Sequence, residues 1–332
     1  MRSYRAMVNS TLAASLLVFL AFAASASPVR GESERERAAR FTAWQASSSD
    51  PSLVWDCVWC PEMAVVPAGT FLLGSPADEP GRRDDEGPQR RVSIAEPLAV
   101  SRYEISRAEY EAFLRATARP VGVGCLTDRV TRGTWTMDSV STLRDPNFRQ
   151  DGDHPVVCIS WEDAQAYVAW LNRLVPGAGY RLLTEVEWEY AARAGSAAAY
   201  PWGADANRGC AFANGVDRTV LPSYPDWVAL GCDDGALNTA PVGTYRPNAF
   251  GLHDMIGNVA EWVQDWFGFD YYAYMPERNP SGPATGRYKS VRGGSWKSKR
   301  VMLRTPTRGG AAPDQRAATI GFRCARSLKN AG

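Results

Sequence analysis

Two long stretches of this chain, residues 118–153 and 195–250, are rich in turn residues and show no apolar periodicity. Loops of that length persist inside a compact domain only when they carry function or are stapled. Staples are available: Cys125 and Cys158 flank one such loop, and Cys210 and Cys232 flank part of the other. Disulfides form in oxidising compartments, and the N-terminus reads as an export signal. Arg2 and Arg5 give a positive start, Leu12 to Ala23 an apolar run, and Ala24-Ser25-Ala26 a small-residue cleavage site. The run is too short for an ordinary spanning helix. The small-residue site also argues against the alternative of a retained anchor. The expected mature chain starts near Ser27, is exported (periplasmic or secreted), and has no membrane span once the signal, residues 1–26, is removed. The first cysteine is Cys57, so no lipid-attachment Cys stands at the cleavage site.

Cys57-x-x-Cys60 reads as a structural bridge more readily than as a redox or metal motif, because no second CxxC and no βαβ pattern follow it. Cys324 is left over. The formal net charge of +1 argues against a nucleic-acid partner, which needs a basic excess. Twelve Trp, 29 Gly and 22 Pro point to a loop-rich fold pinned by aromatic anchors. Residues 27–60 form a polar leader with the CxxC, mobile or a short helix, and a single domain is expected over 61–330. Ser106 with Glu109, Ser160, and Thr184 with Glu187 mark three helix starts. Glu185, Glu187 and Glu189 on the third helix read as structural. Trp262 and Trp266 read as core, although the aromatic run that they open, to Tyr274, also suits a groove wall.

Only two histidines are present, with no HExxH and no GxSxG. That excludes a three-His iron site within one chain and gives no sign of a hydrolytic triad. His154, before Pro155, reads as a turn residue, and His253 as a surface residue beside an acidic loop.

Four segments then occur in order: MAVVPAGTFLLGS (63–75); HPVVCISWEDAQAYVAWLN (154–172) with YRLLTEVEWEYAARAG (180–195); NAFGLHDMIGNVAEW (248–262); and SVRGGSW (290–296) with GFRCAR (321–326). Together they resemble the formylglycine-generating enzyme, or sulfatase-modifying factor, family over roughly residues 60–328. The resemblance implies an α+β, C-type-lectin-like fold with low regular secondary structure and long stapled loops. It also implies, for the family, a copper ion held by two cysteines after the GGS motif, which activates oxygen to convert a substrate cysteine to formylglycine. The matching positions here are Ser298 and Leu303. Cu(I) wants soft thiolates, and neither a hydroxyl nor an alkyl group supplies one. Copper is therefore not expected. Cys324 falls at a family disulfide position whose usual partner would be Ala191 or Ala192 here.

The resemblance further implies structural calcium. Asp254 and Glu261 would give carboxylates and Gly257 and Val259 carbonyls to one site; Asn214 and Asp234, with carbonyls of Gly215 and Ala236, would form another. Turns capped by these acids, or pairing with arginines, are the alternative. Arg287, Lys289, Arg292, Lys297, Lys299, Arg300, Arg304 and Arg308 make an acid-free basic stretch that lines the family's substrate groove. It suits an anionic small-molecule or peptide ligand read by Arg300 or Arg304, or else a set of ion pairs with distant acids. Ser295 and Trp296 are the remaining groove candidates.

Three functions follow in order of expectation. The first is an exported member without the copper pair, resembling the pyoverdine-maturation branch and acting in oxidative maturation of an exported small molecule or peptide. The second is a non-catalytic, calcium-stabilised ligand-binding module. The last is a sulfatase-activating formylglycine generator.

Overall fold

A computed structural model describes residues 32–48, 50–131 and 134–328. The expected signal peptide and the start near Ser27 lie outside the described residues. Among the described residues no helix is long and apolar enough to cross a membrane.

Two sheets organise the domain. The first runs in the order Leu53–Val54, Met63–Val66, Leu98–Ser101, Cys324–Ser327 and Arg181–Leu182. Its neighbours are all antiparallel. The second runs Arg308–Ala311, Lys289–Arg292, Ala260–Trp266 and Ile320–Phe322, with one parallel pairing at the last edge. C-terminal strands therefore serve both sheets. Two hairpins stand apart, Gly69–Leu73 with Arg90–Ile94 and Cys125–Thr131 with Thr134–Asp138. Between residues 194 and 259 the backbone is irregular apart from two short 3-10 segments and one isolated bridge, Tyr200 with Gly203. The mixed, low-regularity α+β fold is as expected.

The helices start where their side chains can satisfy the free N–H groups of the first turn. In α1 (Glu34–Ser47), α2 (Arg107–Thr117), α3 (Trp161–Leu174) and α4 (Glu185–Arg193) the capping hydroxyls are Ser33, Ser106, Ser160 and Thr184. An acid three residues on returns a bond in each case. Helices α2 and α3 meet through Tyr110, Phe113, Tyr167 and Trp170, with Phe322 closing the cluster.

The expected leader takes part in the fold. Phe41 and Trp44 of α1 pack edge-on against buried Trp55, and the Arg40 guanidinium lies 4.4 Å from the centre of that ring. Leu53 and Val54 already pair with Ala64 and Met63, so regular structure begins before residue 61.

All three expected disulfides are present: Cys57–Cys60, Cys125–Cys158 and Cys210–Cys232. Cys324 is buried and free. Cys125–Cys158 ties the hairpin 125–138, unforeseen within a stretch read as irregular, to the loop just before α3.

Candidate functional site

The GGSW turn leaves the strand Lys289–Arg292 in left-handed backbone, with φ +93° at Gly293 and +71° at Gly294. Glycine is required there for a second reason. A Cβ on Gly294 would lie 3.1 Å from Ser298 Oγ and 3.2 Å from Leu303 Cδ2. Ser298 and Leu303, which the resemblance matches to the copper-ligand positions, thus converge on one glycine. Their side chains do not fit a two-thiolate site. Ser298 Oγ accepts from the Ser295 amide at 2.9 Å, and Leu303 is buried in the apolar core. The free thiol of Cys324 is buried on a sheet strand, where burial pushes its pKa well up. A Cu(I)–dithiolate centre has no ligand pair among these residues.

Ser295 and Trp296 are both buried. The Trp296 indole donates to Ala318 O at 3.2 Å and packs against Trp135 and Phe148, so it supports the turn from below. Ser295 Oγ accepts from the Lys297 amide at 3.4 Å.

Arg304 does not face a groove, as one reading expected, but pairs with distant acids, as the alternative had it. Its guanidinium is buried and grips Glu86 through two nitrogens, at 2.6 and 2.8 Å, and Glu79 at 2.6 Å. Arg292 and Arg308 are likewise committed. Arg308 forks onto Glu185 at 2.6 and 2.8 Å, while Arg292 bridges Glu185 and Glu189 at 2.9 and 2.6 Å. Much of the basic stretch is therefore the inward half of a buried ion-pair network. Arg300 and Lys299 remain exposed.

Glu187 caps α4 as expected. Glu185 and Glu189 share one face of α4 and are buried. His253 is also buried, against expectation. Its Nδ1 lies 2.7 Å from Tyr245 O, and burial lowers its pKa to about 4. His154 bonds Thr239 Oγ1 at 2.9 Å and stays structural.

The two candidate calcium sets abut. The Asn258 amide donates to Asn214 O at 2.8 Å, and Asn214 Nδ2 donates to Asn258 Oδ1 at 3.2 Å. A Cβ on Gly257 would fall 2.1 Å from Asn214 O, so only glycine permits this approach. In the first set, Glu261 lies within hydrogen-bond distance of Trp188 and Arg323, both at 2.8 Å. Asp254 uses one oxygen on the Gly243 amide at 2.6 Å, while its other is buried without a partner. A third carboxylate, unforeseen, completes the cluster: buried Glu104 accepts from Asn258 Nδ2 at 2.6 Å and the Val259 amide at 3.0 Å. Burial, then the Asp254 and Glu261 charges, push Glu104 well up. Burial raises Asp254 to about 7 against the pull of the Gly243 amide and Arg323.

Three buried carboxylates facing one arginine leave a negative excess that protons or a cation must balance. That excess and the orphaned Asp254 oxygen fit a hard cation, whereas Glu261 is already engaged by Arg323. In the second set the Asn214 Oδ1 atom is also buried and unpartnered. Asp234 spends its oxygens on the Gly215 and Ala236 amides, at 3.0 and 2.8 Å. Among the described residues no three His, Cys, Asp or Glu side chains converge as a metal-ligand group. A cation here would therefore lean on amide and carbonyl oxygens, as calcium can.

Taken together, the turn, the stapled loops and the abutting acid sets define a formylglycine-generating-enzyme-like domain. The sulfatase-modifying factor enzyme 1-like domain family matches residues 53–328, and the chain belongs to it. The formylglycine-generating enzyme of Thermomonospora curvata is 33% identical over 305 residues, covering 79% of this chain and 92% of the relative. The inactive C-alpha-formylglycine-generating enzyme 2 of Mus musculus is 30% identical over 297 residues, covering 80% of this chain and 86% of that one. Among solved structures, that of PvdO from Pseudomonas aeruginosa superposes with a TM-score of 0.71 at 35% identity, covering 85% of this chain and all of that one.

Proposed function

We propose that this chain is an exported family member working without a copper–dithiolate centre, in oxidative maturation of an exported small molecule or peptide. The observation that carries this reading is the meeting of Ser298 and Leu303 at Gly294, a hydroxyl and an alkyl group where the resemblance would put two thiolates. The likeness to PvdO over that protein's whole length supports it. So does a relative whose name marks it as inactive in formylglycine generation. Export is supported by three disulfides, which persist in oxidising compartments. The test is a gene deletion with metabolite profiling of the exported fraction. The expected result is accumulation of a precursor that carries two more hydrogens than the wild-type product and disappears on complementation. An unchanged profile would contradict an oxidative role and favour the second reading, a non-catalytic calcium-stabilised ligand-binding module, which the same lack of thiolates also supports.

Calcium is proposed as a structural ion held by Asp254 with neighbouring backbone oxygens of Gly257 and Val259, and by Asn214 in the abutting set. Asp254→Asn is the informative change, because Asn tolerates the positive φ of 55° there and removes only the charge. Chelation is expected to lower the melting temperature of the wild type but to leave that of Asp254→Asn unmoved. If chelation leaves the wild type unmoved as well, the calcium assignment falls.

A further inference from the structure

The chain contains four lysines, Lys289, Lys297, Lys299 and Lys329, and otherwise uses arginine for its cations. The deeply buried, ion-paired cations are arginines, Arg292, Arg304, Arg308 and Arg323, each locked to a carboxylate. A guanidinium cannot lose its proton in a protein, whereas an amine can. A lysine placed inside is therefore a chemically distinct choice.

Lys289 is saturated. Its ammonium lies 4.0 and 3.9 Å from the ring centres of Trp161 and Trp266 and donates to Gln264 O at 3.0 Å. Lys299 is exposed. Lys297 differs from both. It is half-buried, and its Nζ lies 3.7 Å from the ring centre of Trp135 and 5.8 Å from that of Trp227. Among the described residues it has no hydrogen-bond acceptor and no ion-pair partner.

The walls around it are built. Tyr224 stacks on Trp227 with ring centres 4.1 Å apart, and its hydroxyl donates to Asp128 Oδ2 at 2.7 Å. Trp135 leans on Trp296, and its indole N–H is buried without an acceptor. Among the described residues, Asp128 on the strand Cys125–Thr131 is a carboxylate whose charge reaches the amine. Burial lowers the Lys297 amine to about 8, with Asp128 pulling the other way. Lys297 also lies between Ser295 and Ser298, on the turn that carries the family's reacting centre.

We propose that Lys297 is a carbonyl-reactive amine, which takes an aldehyde- or ketone-bearing ligand as an imine within the Trp135–Trp227 enclosure. The neutral amine attacks the carbonyl carbon. The C–N bond forms, the carbonyl oxygen leaves as water after proton transfer, and hydrolysis reverses the step with no change of oxidation state. Desolvated lysines beside apolar walls serve this chemistry because a sizeable neutral fraction exists near neutral pH. The proposal deepens the function proposed above by assigning a carbonyl-bearing ligand to the same turn, and it rests on that reading only for the location of the site.

The test is pyridoxal labelling of the intact mature protein, trapped by cyanoborohydride and mapped by peptide mass spectrometry. Hydride adds to the imine carbon and fixes a secondary amine. At pH 7 Lys297 is expected to label at least about tenfold faster than Lys299, since burial lowers its amine from the ordinary 10.5 to about 8 and each unit raises the neutral fraction about tenfold. Its rate should level off through about pH 8. Lys297→Arg, which keeps the cation over the indoles, should lose that adduct while the other lysines label unchanged. Trp135→Ala, which opens the enclosure to water, should reduce the preference. Labelling of Lys297 no faster than Lys299 overturns the proposal. The readout needs no turnover, so a negative result leaves the proposed function standing. Failure of the deletion experiment, in turn, leaves the amine's reactivity measured.

Discussion

Glu185→Ala is expected to destabilise the protein by about 3–5 kcal/mol, because removing one partner of a buried pair strands the others. Two cations depend on this carboxylate. Arg308 and Arg292, both fully buried, would face each other across the vacated space. Burial alone would raise the Glu185 carboxyl, but Arg308 and Arg292 outweigh it and hold it at about 2. A carboxyl depressed in the folded state contributes stability that is present above its unfolded value and lost as pH falls through the folded one. For Glu185 the window runs from the ordinary 4.5 down to about 2. The contribution at neutral pH is on the order of 3 kcal/mol. Urea unfolding at pH 7 and at pH 3 measures both parts: wild type should lose stability toward acid, and Glu185→Ala should lose less. A variant within about 1 kcal/mol of wild type at pH 7 would mean that the network contributes far less than its geometry implies.

The second large effect lies in the hairpin. Removing Cys125–Cys158 by substituting both with Ala is expected to cost about 3–4 kcal/mol, from the loop entropy of a 33-residue separation. The same change should loosen the hairpin that lays Trp135 over Trp296 and Lys297. Tryptophan fluorescence should shift to the red in the folded variant, and Lys297 should lose its labelling preference over Lys299. A loss below about 1 kcal/mol with unchanged fluorescence would show that packing alone holds the hairpin down.

Local chemistry was legible in the sequence wherever partners lie close together. The capping boxes at Ser106, Ser160 and Thr184 use residues three apart, and each starts a helix where expected. The capping box of α1 was equally readable at Ser33 and Glu36, yet its charged surroundings left the segment open between a mobile leader and the short helix that it forms. What holds it is Trp55, an aromatic side chain downstream, together with the Arg37 bonds to Val58 O, Cys60 O and Glu109. The hairpin 125–138 was also available in outline, since Thr127, Val130, Thr131, Thr134 and Thr136 are β-formers.

Long-range pairing was not legible. Arg304 stayed open between a ligand and a distant acid because Glu79 and Glu86 lie more than 200 residues earlier in the chain. His253 looked exposed because an acidic neighbourhood resembles a surface, and nothing in sequence brings the Tyr245 carbonyl onto its ring. Glu104 gave no signal at all. Its position after Leu98–Ser101 reaches the acid cluster only once that strand pairs with Cys324–Ser327. Lys297 was visible only as one charge in a basic run, because the two indoles that enclose it come from a distant hairpin and a distant loop.

The most direct test of the proposal that this family fold works without a copper–dithiolate centre is metal content, measured by elemental analysis on the mature protein and on Ser298→Cys/Leu303→Cys. Both would be purified from the periplasm under air without chelator. The expected result is calcium but no copper in the wild type, and thiol-dependent Cu(I) uptake by the folded double variant, since both positions meet at Gly294. Stoichiometric copper in the wild type, or a folded double variant that takes up none, would contradict it.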